Sequence, residues 1–126
     1  MKKLLFITPE LPFPAQSGGK VKSMKLLEAL AEKYVVTLAC PLKLDDADHL
    51  EDFYQRSPCK DHIHQPVAID RTAGNLARSY ARGVPLNVLR SFDKTLQREI
   101  ASVAGDHDIV VLDHYEVYPY LPQSFQ

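Results

Sequence analysis

Apolar positions follow two different rhythms along this chain. Residues 3–8, KLLFIT, form an unbroken apolar run that Pro9 ends. A short run of this kind between breakers predicts a strand buried on both faces. Residues 9–19 hold Pro9, Pro12, Pro14 and the pair Gly18–Gly19, and read as a long loop. Val21, Met24, Leu27, Leu30 or Ala31, and Tyr34 then recur at helical spacing. YVVTLAC, residues 34–40, is rich in β-branched residues and predicts a second strand, with Pro41 as its stop. Strand, helix, strand within so short a span is a βαβ unit, whose two strands run parallel.

The rhythm continues more faintly. Ala47, Leu50 and Phe53 or Tyr54 predict a short helix capped by Asp45 or Asp46. HIHQPVAI, residues 62–69, reads as a strand near a sheet edge, because Pro66 interrupts it. Thr72 begins a further predicted helix with Leu76, Ala77 and Tyr80 inward, which Gly83 and Pro85 end. Phe92, Leu96, Ile100 and Val103 mark a better-formed helix that stops at Gly105. DIVVLD, residues 108–113, predicts a strand, and EVYPYLP after it a loop or short helix. The expected fold class is therefore α/β, with at least three parallel strands flanked by helices in one domain over residues 1–126. Doubly wound sheets commonly have five or six strands. The chain ends soon after its last predicted strand, so the expectation is a partial domain of a larger or split protein.

Composition narrows the function classes more than the fold. The hydrophobic fraction of 45% and charged fraction of 25% suit a globular domain, and the net charge of −1 gives no general attraction to nucleic acid. Charge is unevenly spread. Residues 71–98 carry Arg71, Arg78, Arg82, Arg90, Lys94 and Arg98 against Asp93 alone, a face that suits solvent, a partner or an anionic membrane surface. Cys40 and Cys59 demand no disulfide, and a cytoplasmic setting fits. The apolar run after Met1–Lys2–Lys3 is too short for a secretory signal.

Ligands of open α/β sheets bind beyond the carboxyl ends of the strands. That rule singles out two stretches. Gly18–Gly19 stands where the first helix begins, and the unpaired amides of a first helical turn can hold a phosphate or another anionic oxygen. Lys20 and Lys22 sit against the positive end of the helix dipole, which an anion there would explain; the alternative is a helix capped by Ser17 or Gly18 with both lysines in solvent. Asp113–His114 ends the last strand, where a carboxylate or imidazole can bind a hydroxyl or take a proton, or simply start a turn. Their side chains are expected on opposite sides. His62, His64 and Cys59 have metal-like spacing without an evident fourth ligand, so no metal site is predicted. The sequence matches neither G-x-G-x-x-G nor G-x-x-x-x-G-K-[ST], and it has no G-x-S-x-G elbow.

The first forty residues, with Pro12 and Pro14, Gly18–Gly19, Lys22, and Leu26–Leu27 with Leu30, resemble the opening of bacterial family 4 (group 1) glycosyltransferases of the GT-B fold. GVPLNVLRSFDKTLQREI and HDIVVLDHYEVYPYLP are similar to later segments of the same N-terminal domain. The resemblance implies a Rossmann-like acceptor-side domain, the incomplete N-terminal half of a two-domain enzyme. Its ligands would be a nucleotide-sugar donor and a saccharide or lipid-linked acceptor. Gly18, Gly19 and Lys22 would face the donor, with no metal or other cofactor. It also implies that this chain alone is inactive, since the donor domain with its E-x7-E glutamates would lie beyond Gln126. Many members place a histidine where this chain has Asp113, and His114 stands one residue later. The alternatives are a non-catalytic phosphate- or sugar-binding module and one subunit of a split transferase. Peripheral contact with the inner membrane and self-association through an exposed sheet edge are further expectations.

Overall fold

The computed structural model describes residues 1–43, 46–66, 77, 80–83 and 92–122. Its centre is a four-stranded parallel sheet in the order β3-β2-β1-β4, made of β1 (Lys3–Ile7), β2 (Val35–Leu42), β3 (Asp61–Pro66) and β4 (Ile109–Leu112). Helices α1 (Gly18–Ala31), α2 (Leu50–Arg56) and α3 (Lys94–Ala104) complete the layers. The chain is thus an α/β protein with a Rossmann-like arrangement.

The period of two along β1 divides the core. Leu4 and Phe6 pack on one face with Leu27 of α1, Phe53 of α2, and Val36, Leu38 and Cys40 of β2. Leu5 and Ile7 pack on the other with Ala39 and with Leu96, Ile100 and Ala104 of α3. All four residues are essentially inaccessible, so the unbroken apolar run in the sequence reflects a strand covered on both sides. α3 starts where Asp93, its N-cap, accepts a hydrogen bond from the Leu96 amide at 2.8 Å. A 3₁₀ turn at Tyr115–Tyr120 then folds Val117 and Tyr120 onto the α3 face. The Tyr120 hydroxyl accepts from the Asp93 amide at 2.8 Å.

Several sequence expectations are corrected. β2 runs through Pro41 to Leu42. The Ala39 carbonyl faces β1, where it accepts from Thr8 N–H at 3.1 Å. Pro41, two residues on, faces the same side, past the end of β1 at Ile7, so its missing N–H interrupts no ladder bond. α2 is not capped by an aspartate. His49 stands at its N-cap without a side-chain bond, and a 3₁₀ turn at Asp46–His49 precedes it. Asp46 instead accepts from the Lys43 amide at 2.9 Å; Asp45 lies outside the described residues. Among the described strands β3 is at an edge, as Pro66 suggests, and it spans Asp61–Pro66; residues 67–69 of the predicted strand lie outside the described residues. Of the helix predicted from Thr72, Thr72, Leu76 and Pro85 lie outside the described residues. Tyr80 is 92% exposed rather than inward. Gly83 does close a helical turn, at φ 64, where a side chain would be strained. No helix among the described residues is long and apolar enough to cross a membrane.

Candidate functional site

The strand order places a boundary between β1 and β4. From β1 the chain moves outward through β2 to β3, and β4 then returns to the opposite side of β1. The two loops leaving β1 and β4 consequently diverge, which opens a crevice at their carboxyl ends. A cleft of about 160 Å³ lies there, lined by Thr8, Glu10, Gly19, Lys22, Ser23, Lys43, Asp113, His114 and Glu116 among others.

Asp113 joins the walls of this cleft. Its amide still donates to the Ile7 carbonyl at 2.8 Å, so the backbone remains in register with β1. Its carboxylate is buried and accepts from two hydroxyls at Oδ2: Thr8 Oγ1 at 3.2 Å, from the end of β1, and Ser23 Oγ, from the inner face of α1. Oδ1 faces the Lys22 ammonium at 3.6 Å. The next residue, His114, adopts φ 131 and ψ 151, a region that essentially only glycine occupies and that costs another residue about 1–3 kcal/mol. This sharp turn drives the chain into the 3₁₀ segment and leaves the imidazole half-exposed, 3.4 Å from Glu116 and with its ring 4.6 Å from that of Tyr115.

Opposite Asp113, α1 begins. Ser17 is its N-cap and accepts from the Lys20 amide at 3.2 Å, while the Val21 amide donates to the Ser17 carbonyl at 2.9 Å. Among the described residues the Gly18 and Gly19 amides donate to no protein acceptor. A Cβ built on either glycine would meet nothing within 4 Å. Capping by Ser17 and an open pair of glycine amides therefore coexist.

Of the residues selected from sequence, Gly19, Lys22, Asp113 and His114 come together at one cleft. Gly18 is exposed and does not line it. Lys20 is turned away, with its ammonium 3.7 Å from Asp46. The inference from lysine charge to a bound anion loses its necessity here, because Asp46 and Asp113 already balance Lys20 and Lys22. Ser23 is the residue that sequence reasoning missed. Its signal is positional: it stands four residues before Leu27, a polar side chain on the buried stripe of α1.

His62 and His64 lie on one face of β3, among aromatic rings rather than at the cleft. Tyr54 stacks on His64 with centroids 5.8 Å apart, and Phe53 meets His62 edge-on at 5.5 Å. Ser57 Oγ accepts from the Cys59 amide at 3.1 Å and lies 2.7 Å from His62 Nε2. His64 Nδ1 is 3.2 Å from Cys40 Sγ, and its buried Nε2 has no partner among the described residues. Burial, together with the neighbouring His62, pushes His64 down to about 4. Burial also raises the Cys40 thiol well above its ordinary value, with the Asp46 charge adding to it. Among the described residues no group of three or more His, Cys, Asp or Glu is placed to hold a metal ion.

Comparison of the chain with protein-family models, curated proteins and solved structures gives no match.

Proposed function

We propose that this chain is the acceptor-side, N-terminal portion of a GT-B glycosyltransferase similar to family 4, which moves a sugar from a nucleotide-sugar donor to a saccharide or lipid-linked acceptor. One observation carries the reading. Gly19 lines the crevice where the strand order reverses, and its amide and that of the preceding Gly18 are sterically open and without a protein acceptor among the described residues. Such amides suit the anionic oxygens of a diphosphate, and Lys22 adds positive charge beside them. Around them the cleft mixes donors and acceptors in a way that suits sugar hydroxyls, with His114 and Glu116 on one wall and Glu10 and Lys43 on the other. Catalysis in this reading requires a donor-binding half opposite the cleft, so the 126-residue chain binds without turning over. Peripheral membrane contact through the arginine-rich stretch 71–98 and self-association through an exposed sheet edge belong to the same proposal.

A second reading, a non-catalytic phosphate- or sugar-binding module or one subunit of a split transferase, is favoured by the pairing of acids at the cleft. Asp113 is held by Lys22, Thr8 and Ser23, Glu10 lies 3.9 Å from Lys43, and Glu116 lies against His114. The test is titration of the ¹⁵N-labelled chain with a uridine diphosphate sugar, uridine diphosphate and pyrophosphate, alongside an assay for sugar transfer. Saturable shifts at Gly18, Gly19 and Lys22 without turnover are expected. Absence of shifts there at millimolar ligand would overturn the anion site, and turnover by this chain alone would overturn its assignment as half of a cleft. Co-purification with a second, donor-binding chain would select the split enzyme.

A further inference from the structure

Three lysines surround the carboxyl end of the sheet, and each faces a carboxylate: Lys20 with Asp46 at 3.7 Å, Lys43 with Glu10 at 3.9 Å and Lys22 with Asp113 at 3.6 Å. The last pair is the most lopsided. The Lys22 side chain is 67% exposed and that of Asp113 only 4%. The ammonium sits on a flexible, solvated stem and can swing. The carboxylate cannot, because Thr8 on the end of β1 and Ser23 on α1 both donate to Oδ2, and its own amide is tied to Ile7. Only Oδ1 looks toward Lys22, and both residues line the cleft together with Gly19.

We propose that Asp113 is a built-in competitor for anions at this cleft: it engages Lys22, and a phosphate group binding at Gly18–Gly19 takes that ammonium over while Thr8 and Ser23 keep the carboxylate seated. This inference rests on the anion-binding reading above and adds its regulation. An ion pair with one partner well exposed is weak, so a multiply charged phosphate that also accepts from helix amides can outbid it. The carboxylate stays behind as a fixed negative charge, so it lowers the affinity of any anion that binds there.

The experiment uses pyrophosphate as probe and compares wild-type chain, Asp113→Asn, Lys22→Gln and the double variant, with affinities read from ¹⁵N shifts. Asparagine keeps an oxygen for Thr8 and Ser23 and removes the charge. Its affinity is expected to rise about twofold to fivefold. In the Lys22→Gln background the same change should give a clearly smaller gain, because the residue competed for has gone. Ser23→Ala, which keeps the charge and loosens the seat, should weaken binding instead. An unchanged or weaker Asp113→Asn would overturn the proposal while wild-type binding leaves the anion site standing. An equal gain in the Lys22→Gln background would overturn it too, by showing plain repulsion. Binding by neither wild type nor Asp113→Asn would remove the anion reading and this inference together. A measurement on the wild-type chain guards against a variant that does not fold. The Asp113 carboxyl ¹³C resonance should move along the same saturation curve as the Gly19 amide, and its failure to move at saturation would overturn the proposal.

Discussion

Two groups of chemistry-bearing side chains lie near the carboxyl end of this sheet, and they have opposite characters. At the cleft, Asp113 has two hydroxyl donors and an ammonium, and the residues around it open to solvent. Beneath α2, His64 has a sulfur at one nitrogen and, among the described residues, no partner at the other, under the ring of Tyr54. In the sequence the two look alike: a D-H pair closing one strand and an H-x-H pair with a nearby cysteine on another. Their surroundings separate them. Partners and solvent let the first group work with charge, whereas burial forces the second to be neutral and makes it part of the core.

Acid breaks the second group first, and this is the largest effect expected. A histidine held near 4 in the folded chain and near its ordinary value when unfolded lets the unfolded state bind more protons between those limits. His64 therefore costs nothing above its ordinary value, and stability falls as pH drops from about 6.5 toward 4, by at most about 3 kcal/mol. His62, lowered by the same cause, adds to the slope in the same sense. Urea unfolding at pH 7 and pH 5 should show the loss, and His64→Leu should reduce it. A variant that keeps the full wild-type slope would contradict a neutral, buried His64.

The fold was readable where local pattern and global burial agree. KLLFI needed no partner to announce a doubly covered strand, and the stripe of Leu96, Ile100 and Val103 announced α3, whose cap at Asp93 the structure adds. The cleft was half readable. Strand ends and a glycine pair are visible in sequence, so Gly19, Lys22, Asp113 and His114 could be chosen. What Asp113 does was not visible, because its partners Thr8 and Ser23 are 105 and 90 residues away. The extension of β2 through Pro41 was hidden for a related reason: whether a proline breaks a strand depends on what lies beside it, and that is set by the length of β1.

The cleft should respond in the opposite sense to the histidine cluster when its own strained residue is removed. His114 holds a glycine conformation. His114→Gly removes about 1–3 kcal/mol of strain and costs roughly 0.5–1 kcal/mol in chain entropy. The contacts with Glu116 and the Tyr115 ring are lost as well. A net gain near 1 kcal/mol is expected in chemical denaturation, with weaker binding of any ligand that uses the imidazole. A destabilised glycine variant would mean that those two contacts outweigh the strain.

The smallest effect is the most telling about the glycine pair. Nothing among the described residues asks for glycine at position 19: its φ is not positive, and a Cβ would meet none of them within 4 Å. Alanine is the better helix former, so Gly19→Ala should raise stability by about 0.5 kcal/mol, less than the interior value because the position lies in the first turn. If the two amides hold a phosphate, the new methyl stands where the ligand must approach, and pyrophosphate affinity should fall although the protein becomes more stable. That separation of stability from binding is what a site predicts. A Gly19→Ala chain that gains stability and binds pyrophosphate as the wild type does would make the glycine an accident of the loop, and would leave Ser17 as the reason α1 starts where it does.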